Sequence, residues 1–237
     1  VCLISIGLFL LFPIWCLADG GWSSPLNLSS SAADTQYIST AMDSVGRVHV
    51  VWSEGGKIYH RYVTSGVWSE ASVVSFGTKP RIAADSAGGI HLTFASSMAG
   101  AGDIYYASWK SDAGWGPAIN VSQSTGSSFG PAIAIAPDGT LSIVWSEPAG
   151  DANLIYLAES SDGMVWSSGP VPGAEGTGVT VGYGPESVLL VAWEDVYDEG
   201  FPLEIFASQR TSSGWSLPTD VSYRPLTNCS FPSLAAG

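Results

Sequence analysis

The sequence is short of cysteine, of positive charge and of histidine. It has three cysteines in 237 residues, no Cys-x-x-Cys pair and no Cys/His cluster. Two of the three, Cys2 and Cys16, lie in an apolar leader, so after the leader only Cys229 remains. That excludes an internal disulfide framework and argues against a zinc site, so no metal is assigned from cysteine or histidine. Lysine and arginine together number eight against 21 acidic residues, a net charge of −13, and the eight form no run. Phosphate backbones and anionic membrane surfaces need clustered cations, so nucleic acid is excluded as a partner. Charged residues of both signs make up only 12%, while 46% of the chain is hydrophobic. That balance excludes a disordered chain. What is abundant is glycine, 28 residues, and tryptophan, ten. The pair points to many short strands and turns rather than long helices.

Residues Val1–Leu17 carry no charge, and Cys16 and Ala18 stand at the −3 and −1 positions of a small-residue cleavage site before Asp19. The stretch 1–18 reads as a secretory signal peptide, with 19–237 as the folded region. An uncleaved anchor is the alternative, but 17 apolar residues are marginal for a span of about 20. Trp15 before Cys16 disfavours a lipoprotein. The missing Met and basic n-region suggest an incomplete start. The expected location is secreted, extracellular or at the cell surface, with no membrane insertion after cleavage.

A tryptophan motif recurs at Trp22, Trp68, Trp115, Trp166 and Trp215, with spacings of 46, 47, 51 and 49 residues. Between these sites three patterns recur in fixed order. The first is a short apolar run entering an acidic turn: "YISTAMDSVG" (37–46), "PRIAADSAGG" (80–89), "PAIAIAPDG" (131–139). The second ends in an aromatic: "VHVVW" (48–52), "IHLTF" (90–94), "LSIVW" (141–145), "VLLVAW" (188–193). The third is "IYHRY" (58–62), "IYYASW" (104–109), "IYLAES" (155–160) and "IFASQ" (205–209). With the tryptophan segment as a fourth strand, each repeat is a four-stranded meander, strands A to D. The B strands are apolar on both faces, unlike a half-solvated sheet. Sheets stacked radially against like sheets satisfy this. The fold class expected is therefore all-β, a β-propeller with about four complete blades in this chain.

"GWSSPLNLS" (21–29) resembles "GWGPAINVS" (114–122) and "GWSLPTDVS" (214–222), so Trp22–Ser29 reads as a D strand without A, B or C before it. The closing "FPSLAAG" (231–237) matches "GPAIAIAPDG" (130–139), the start of another A strand. The expectation is a ring of six to eight blades, closed by strands from both ends and incomplete here at the C-terminus.

The turn "SSDGMVW" (160–166) resembles a shortened Asp-box of the BNR repeats in the sialidase-like propeller superfamily. Ser160, Asp162, Gly163 and Trp166 match, with one residue fewer than the motif. The resemblance implies a structural turn, with Asp capping backbone N–H groups and Gly supplying a positive φ. It also implies where a sialidase site would lie: an Arg triad, a Tyr/Glu nucleophile pair and an Asp acid/base. "KPRIA" places Arg81-Ile82 where sialidases carry one such Arg, though Pro80 and Ala83 replace the motif's aromatic and proline. Arg224 is the other arginine on that side, so no triad is assembled from this piece.

Loops between B and C vary in length and share a face with the D–A junctions, which makes that face the site candidate. Arg81 leads, because its repeat counterparts are Ala132 and Ser233 and folding does not require its charge. Arg224 joins it. The loop 194–204 carries Glu194, Asp195, Asp198, Glu199 and Glu204, a Ca²⁺ or acid/base candidate without EF-hand spacing; its plain reading is a solvated acidic loop. Glu54, Glu147 and Glu194 recur after the B-strand aromatic, which favours a repeated structural role. His49 and His91 align with Ser142 and are read, with His60, as packing residues. Asn27, Asn120 and Asn228 start N-x-Ser sequons; Asn27, Asn120 and Asp220 share a turn-forming slot.

These residues lead to a secreted sialidase-like propeller that binds glycans or extracellular protein. The alternatives are an exo-glycosidase of sialidase type and a cell-surface scaffold. Secreted material is expected to begin near Asp19 by mass spectrometry; a product retaining Val1 would support the anchor instead.

Overall fold

A computed structural model describes residues 24–98, 100–196, 202–223 and 227–234. The leader, Trp22 and Arg224 lie outside the described residues. The chain divides into two units, 1–30 and 31–237. In the first, the described residues form no strand. The D strand expected at Trp22–Ser29 is therefore not seen over 24–29. Instead the Asn27 carboxamide accepts the backbone N–H of Ser30 at 3.1 Å, which closes a turn. A lone strand leaves its ladder groups unpaired, whereas this turn satisfies one of them locally.

The second unit is four antiparallel sheets in chain order. Sheet 1 holds β1 (Thr35–Met42), β2 (Val48–Glu54), β3 (Lys57–Thr64), β4 (Val67–Trp68) and β5 (Ser72–Phe76). Sheet 2 holds β6 (Thr78–Ala84), β7 (Ile90–Ser96), β8 (Asp103–Lys110), β9 (Gly114–Trp115) and β10 (Ile119–Asn120). Sheet 3 holds β11 (Phe129–Ile135), β12 (Leu141–Ala149), β13 (Ala152–Ser160) and β14 (Ser167–Glu175). Sheet 4 holds β15 (Thr177–Tyr183), β16 (Leu189–Val196), β17 (Leu203–Thr211), β18 (Gly214–Trp215) and β19 (Thr219–Asp220). A single 3-10 turn, Pro185–Ser187, is the one helical element among the described residues. In sheets 1, 2 and 4 the fourth strand is split into two pieces on the third strand.

The B strands β2, β7 and β12 are buried over nearly their whole length on both faces. Three apolar cores account for this, each between successive sheets. Val51 and Ile58 of sheet 1 meet Ile82, Leu92 and Phe94 of sheet 2. Ile104 and Tyr106 of sheet 2 meet Ile143, Trp145 and Trp166 of sheet 3. Val144, Ile155 and Val171 of sheet 3 meet Val179, Val191 and Trp193 of sheet 4. Trp145 and Trp193 are fully buried, and each such side chain truncated to Ala typically costs about 3–5 kcal/mol. The first strands also pack in sequence, β1 on β6, β6 on β11 and β11 on β15.

Every first strand breaks its ladder at the same place. The register shifts between Gln36 and Ser39, Thr78 and Arg81, Phe129 and Ala132, and Thr177 and Thr180. The bulged residue is left-handed each time: Tyr37 (φ 53°), Lys79 (φ 52°), Gly130 (φ 63°) and Gly178 (φ 61°). Bulges re-aim side chains at sheet rims, and glycine accepts this backbone without strain.

Polar side chains pin the sheet junctions. Between sheets 1 and 2 the Trp115 indole N–H donates to His60 Nδ1 at 3.1 Å. An indole only donates, so His60 carries its proton on Nε2 and gives it to His49 Nδ1 at 2.9 Å. His49 Nε2 then donates to Asp43 Oδ2 at 3.2 Å. Both rings are neutral in this chain of bonds. Burial, and secondarily His49, pushes His60 down to about 3. Burial also lowers His49, against the pull of Asp43. Burial would raise Asp43, but bonds from the Arg47 side chain and backbone, His49 and Val45 outweigh it and hold it at about 2. At the next junction His91 sits between Asp85 Oδ2 at 2.9 Å and the Tyr106 hydroxyl at 2.7 Å. At the third, Ser142 bonds Glu159 at 3.2 Å and Tyr183 at 2.6 Å, and Arg210 grips Glu159 with two bonds at 2.7 and 2.5 Å. The slot shared by His49, His91 and Ser142 is thus a packing slot.

The depressed histidines set a pH dependence. An unfolded histidine binds a proton near its ordinary value of 6.5, while folded His60 waits until about 3. The unfolded state therefore holds more protons across that window, and stability falls as pH falls through it; Asp43 adds to the loss below 3.8. The melting temperature is expected to be lower at pH 4.5 than at pH 7.5 by about 5 °C or more. His60→Gln should melt lower at pH 7.5 but lose less on acidification. An unchanged pH dependence in the variant would contradict the assignment.

Candidate functional site

One face gathers the A–B and C–D turns. There Ser160, Asp162, Gly163 and Trp166 build one turn. Asp162 Oδ1 accepts the N–H groups of Met164 at 2.8 Å and Val165 at 3.0 Å, and the Ser160 hydroxyl at 3.0 Å. Those bonds, led by the Val165 N–H, hold the carboxyl below its usual range. Gly163 N–H donates to Ser160 Oγ at 2.9 Å, and the Trp166 indole returns to Gly163 O at 3.3 Å. Gly163 is left-handed (φ 72°), and a Cβ there would meet the Tyr106 hydroxyl at 2.7 Å. The Trp166 ring stands edge-on to Tyr106 at 5.0 Å. The turn of sheet 3 therefore locks onto the polar junction of sheet 2. A cleft of about 320 Å³ opens here, lined by Asp85, His91, Tyr106 and Asp162 among others. Both His91 nitrogens are hydrogen-bonded, to Asp85 and to the Tyr106 hydroxyl, and burial drives Tyr106 up to about 12.

The opposite face gathers the D–A junctions and B–C loops. Two adjoining clefts lie there, of about 450 and 300 Å³. Gly56, Gly77 and Thr78 belong to both. The larger adds Phe76, Ser96, Ser97 and Met98; the smaller adds Asp34, Gln36, Ser53 and Glu54. Phe76 and Met98 are 59% and 49% exposed, an apolar rim over polar walls. Glu54 is tied to Thr35 Oγ1 at 3.0 Å. Glu147 receives Ser124 at 2.5 Å and Ser128 at 3.0 Å. Both carboxylates clamp the chain entering the first strand of their sheet.

Arg81 lies on β6, exposed, opposite Thr93. Its guanidinium turns back onto the Pro80 carbonyl at 3.1 Å, and among the described residues it makes no ion pair with a carboxylate. Arg224, Asp198 and Glu199 lie outside the described residues. Glu194 is buried and accepts the Phe231 N–H. Asp195 is half-buried and stands opposite Glu204 across the ladder. Glu204 is buried and receives the Ser222 hydroxyl. Among the described residues no three His, Cys, Asp or Glu side chains gather as a metal site. The acidic loop and Arg81 are thus on the same face but in different sheets.

Two features escaped the sequence reading. Lys79 Nζ lies 5.8 Å from the centre of the Tyr37 ring and 5.9 Å from that of Phe129. These three residues come from the first strands of sheets 1, 2 and 3. The common bulge brings them together, and nothing in the apolar periodicity announces it. Similarly, Asp103 accepts bonds from Asn120, Ser122 and Ser124, which ties the end of β10 to the start of β8.

No family model and no curated protein matches the chain. Solved structures do. A protein of unknown function from Dyadobacter fermentans matches with TM-score 0.58 at 11% identity, over 82% of this chain and 71% of that one. A PL25 polysaccharide lyase, an ulvan lyase bound to -[GlcA(1-4)Rha3S]-, matches with TM-score 0.58 at 10% identity, over 80% of this chain and 58% of the lyase. The GH93 α-L-arabinofuranosidase of Fusarium graminearum, in complex with arabinobiose, matches with TM-score 0.54 at 14% identity, over 77% and 62%. This chain thus spans less than two thirds of the length of either enzyme. At such identities the likeness is one of all-β fold.

Gly163→Ala is expected to cost roughly 2–4 kcal/mol, the sum of a left-handed Cβ and an overpacked contact. Urea unfolding checks this. A change under about 0.5 kcal/mol would mean the Tyr106 contact does not constrain the turn.

Proposed function

We propose that the four sheets are consecutive blades of a β-propeller and that the protein binds glycans, in the extracellular space or at the cell surface. The sequential packing of the first strands and the buried B strands support the propeller. The observation that carries the binding role is the pair of adjoining clefts on the face of the D–A and B–C connections. Their size falls in the range of ligand pockets, about 300–1,000 Å³. Their make-up suits a sugar, which presents hydroxyls around its edge and an apolar C–H face. Ser53, Ser96, Ser97, Gln36 and Thr78 supply the polar groups, and exposed Phe76 supplies a ring to stack on. Two neighbours in fold act on polysaccharide or arabinofuranoside by their names, which favours sugars over other small ligands.

A sialidase-type site is not the reading preferred. Arg224, the other arginine expected on this side, lies outside the described residues, and Glu54 and Glu147 are tied into the fold. The role proposed is recognition rather than hydrolysis.

The test is a panel of soluble oligosaccharides titrated by calorimetry against the whole protein and Phe76→Ala. Binding to at least one glycan is expected. The variant should lose about tenfold in affinity, some 1.4 kcal/mol, with an unchanged melting temperature. An inert panel, or a variant that binds as the parent does, would overturn the reading.

A further inference from the structure

Sheets 1 and 2 build their A–B turns from the same parts. Asp43 and Asp85 each accept the N–H of the residue four places on, Arg47 or Gly89, and each is bonded by the histidine of the following strand, His49 or His91. Arg47 and Gly89 therefore share one slot of the repeat, directly before the paired residues Val48 and Ile90. Arg47 fills the first junction from that slot. Its Nε donates to Asp43 Oδ2 at 2.6 Å, and its Nη1 donates to Ser111 of sheet 2 at 2.8 Å. Its guanidinium lies 5.8 Å from the centre of the Tyr62 ring and 5.0 Å from that of Trp109. The third junction also closes on an arginine, Arg210, which is held by Glu159 and lies 5.6 Å from the Trp215 ring.

At the second junction the same positions are small. Gly89 stands for Arg47, and by strand register Ser108 stands for Tyr62 and Ser160 for Trp109. The cleft of about 320 Å³ opens there, with Asp85, Gly89, Ser108, Ser161 and Asp162 in its wall. Asp162 holds the place of Ser111, the residue of the next sheet to which Arg47 bonds. The carboxylates show what is left out. The Asp43 side chain is fully covered, whereas that of Asp85 is 26% exposed. Asp43 Oδ2 accepts both His49 and Arg47, but Asp85 Oδ2 accepts His91 alone. Asp162 gives Oδ1 to its turn, and its Oδ2 takes no bond among the described residues. Burial would raise Asp85, but the bonds from His91 and the Gly89 N–H outweigh it; the N–H groups of Val165 and Met164 hold Asp162 below its usual range. Both are therefore ionised at neutral pH. A space left by a missing side chain takes a ligand of that side chain's chemistry, as an emptied apolar cavity takes benzene.

We propose that this cleft, on the face opposite the glycan clefts, receives the guanidinium of an arginine in a segment of a partner protein. Asp85 and Asp162, one from each sheet, accept the guanidinium fork as Asp43 and Ser111 accept that of Arg47. Met164 and Val165, 68% and 75% exposed on the same turn as Asp162, form an apolar rim for the residues beside the arginine. The net charge of −13 draws basic partners to the protein. Lys110, exposed in the same wall, is the competing cation. The inference stands apart from the glycan-binding reading.

The repeat itself supplies the test. Gly89→Arg installs the residue that sheet 1 uses, on a backbone that is not left-handed. A Cβ at Gly89 would meet the Asp85 carboxylate at 2.6 Å, so Ser108→Tyr, which fills the cleft from another wall, is the second variant. Both, with Lys110→Ala and the parent, are titrated as whole proteins by calorimetry. The probes are an acetylated and amidated Gly-Arg-Leu peptide, its citrulline and lysine analogues, and free arginine. The arginine peptide is expected to bind the parent at least about tenfold more tightly than the citrulline peptide, and less tightly as salt rises. It should also bind more tightly than the lysine peptide, which lacks the fork. Gly89→Arg should lose the peptide and melt higher than the parent, because its own guanidinium covers Asp85. Ser108→Tyr should lose the peptide too, and it alone decides if Gly89→Arg folds poorly. Lys110→Ala should bind the peptide more tightly. Equal affinity for arginine and citrulline, or undiminished binding by a folded variant with the cleft filled, would overturn the site. So would lost binding in Lys110→Ala, or no binding by any probe. Tighter binding of free arginine than of the peptide would overturn the protein partner.

Discussion

A β-strand that is apolar on both faces must be covered on both, and that requirement organises this protein. The second strand of each sheet is such a strand. A single meander cannot hide it, because one face always remains wet. Stacking a like sheet against it hides the second face, which is why the apolar cores lie between sheets rather than within one. Each sheet thereby lends half a core to each neighbour. Stability is shared along the array, and the identity of any one repeat is constrained less by itself than by the repeats beside it.

Apolar cover does not set the relative position of two sheets very finely, since side chains of similar size slide at modest cost. The polar junctions do. At each one a buried or half-buried slot on the second strand, His49, His91 or Ser142, reaches a partner set that bonds in one arrangement. The first is a four-group chain from Trp115 through two neutral histidines to Asp43. The second is bonded within one sheet, Asp85, His91 and Tyr106, and meets the next sheet through the packing of Tyr106 on Gly163 and Trp166. The third is Ser142, Glu159, Tyr183 and Arg210. Slippage would break the bonds that cross between sheets, Trp115 to His60 at the first junction and Ser142 to Tyr183 and Arg210 to Glu159 at the third, at about 1–3 kcal/mol for each group left unpaired. The chemistry differs at each junction while the position stays the same, as expected where geometry rather than reactivity is being served.

The two faces of the array then diverge. Where the A–B and C–D turns lie, carboxylates such as Asp43, Asp85, Asp138 and Asp162 are spent on backbone N–H groups. Where the D–A and B–C connections lie, the loops differ in length and leave clefts, and each A strand carries the same bulge near its start. A rigid frame with one uniform and one variable face can alter its ligand without disturbing its cores. The side chains that depart from the repeat on that variable face, Tyr37, Lys79 and Arg81, are those the cores do not need.

Much of the fold was legible in the sequence because it is periodic. The aromatic at the end of each second strand, the Gly- and Asp-bearing turns and the recurring tryptophans mark four meanders, and four sheets with those strands are what form. The Asp-box-like group Ser160, Asp162, Gly163 and Trp166 was legible too, since all of its bonds are local in the chain. The opening segment resembles a D strand whose partner would come from elsewhere in the ring; over residues 24–30 the Asn27 turn forms. The site was legible only in part. Arg81 stood out by comparison with Ala132 and Ser233, but Lys79, Tyr37 and Phe129 are 42 and 50 residues apart in sequence and meet only because three first strands pack side by side. Sequence alone determined which residues alternate, turn and repeat, since those are properties of neighbours along the chain. Tertiary structure decided which sheets touch and which tautomer each histidine holds, since those depend on groups brought together across the fold.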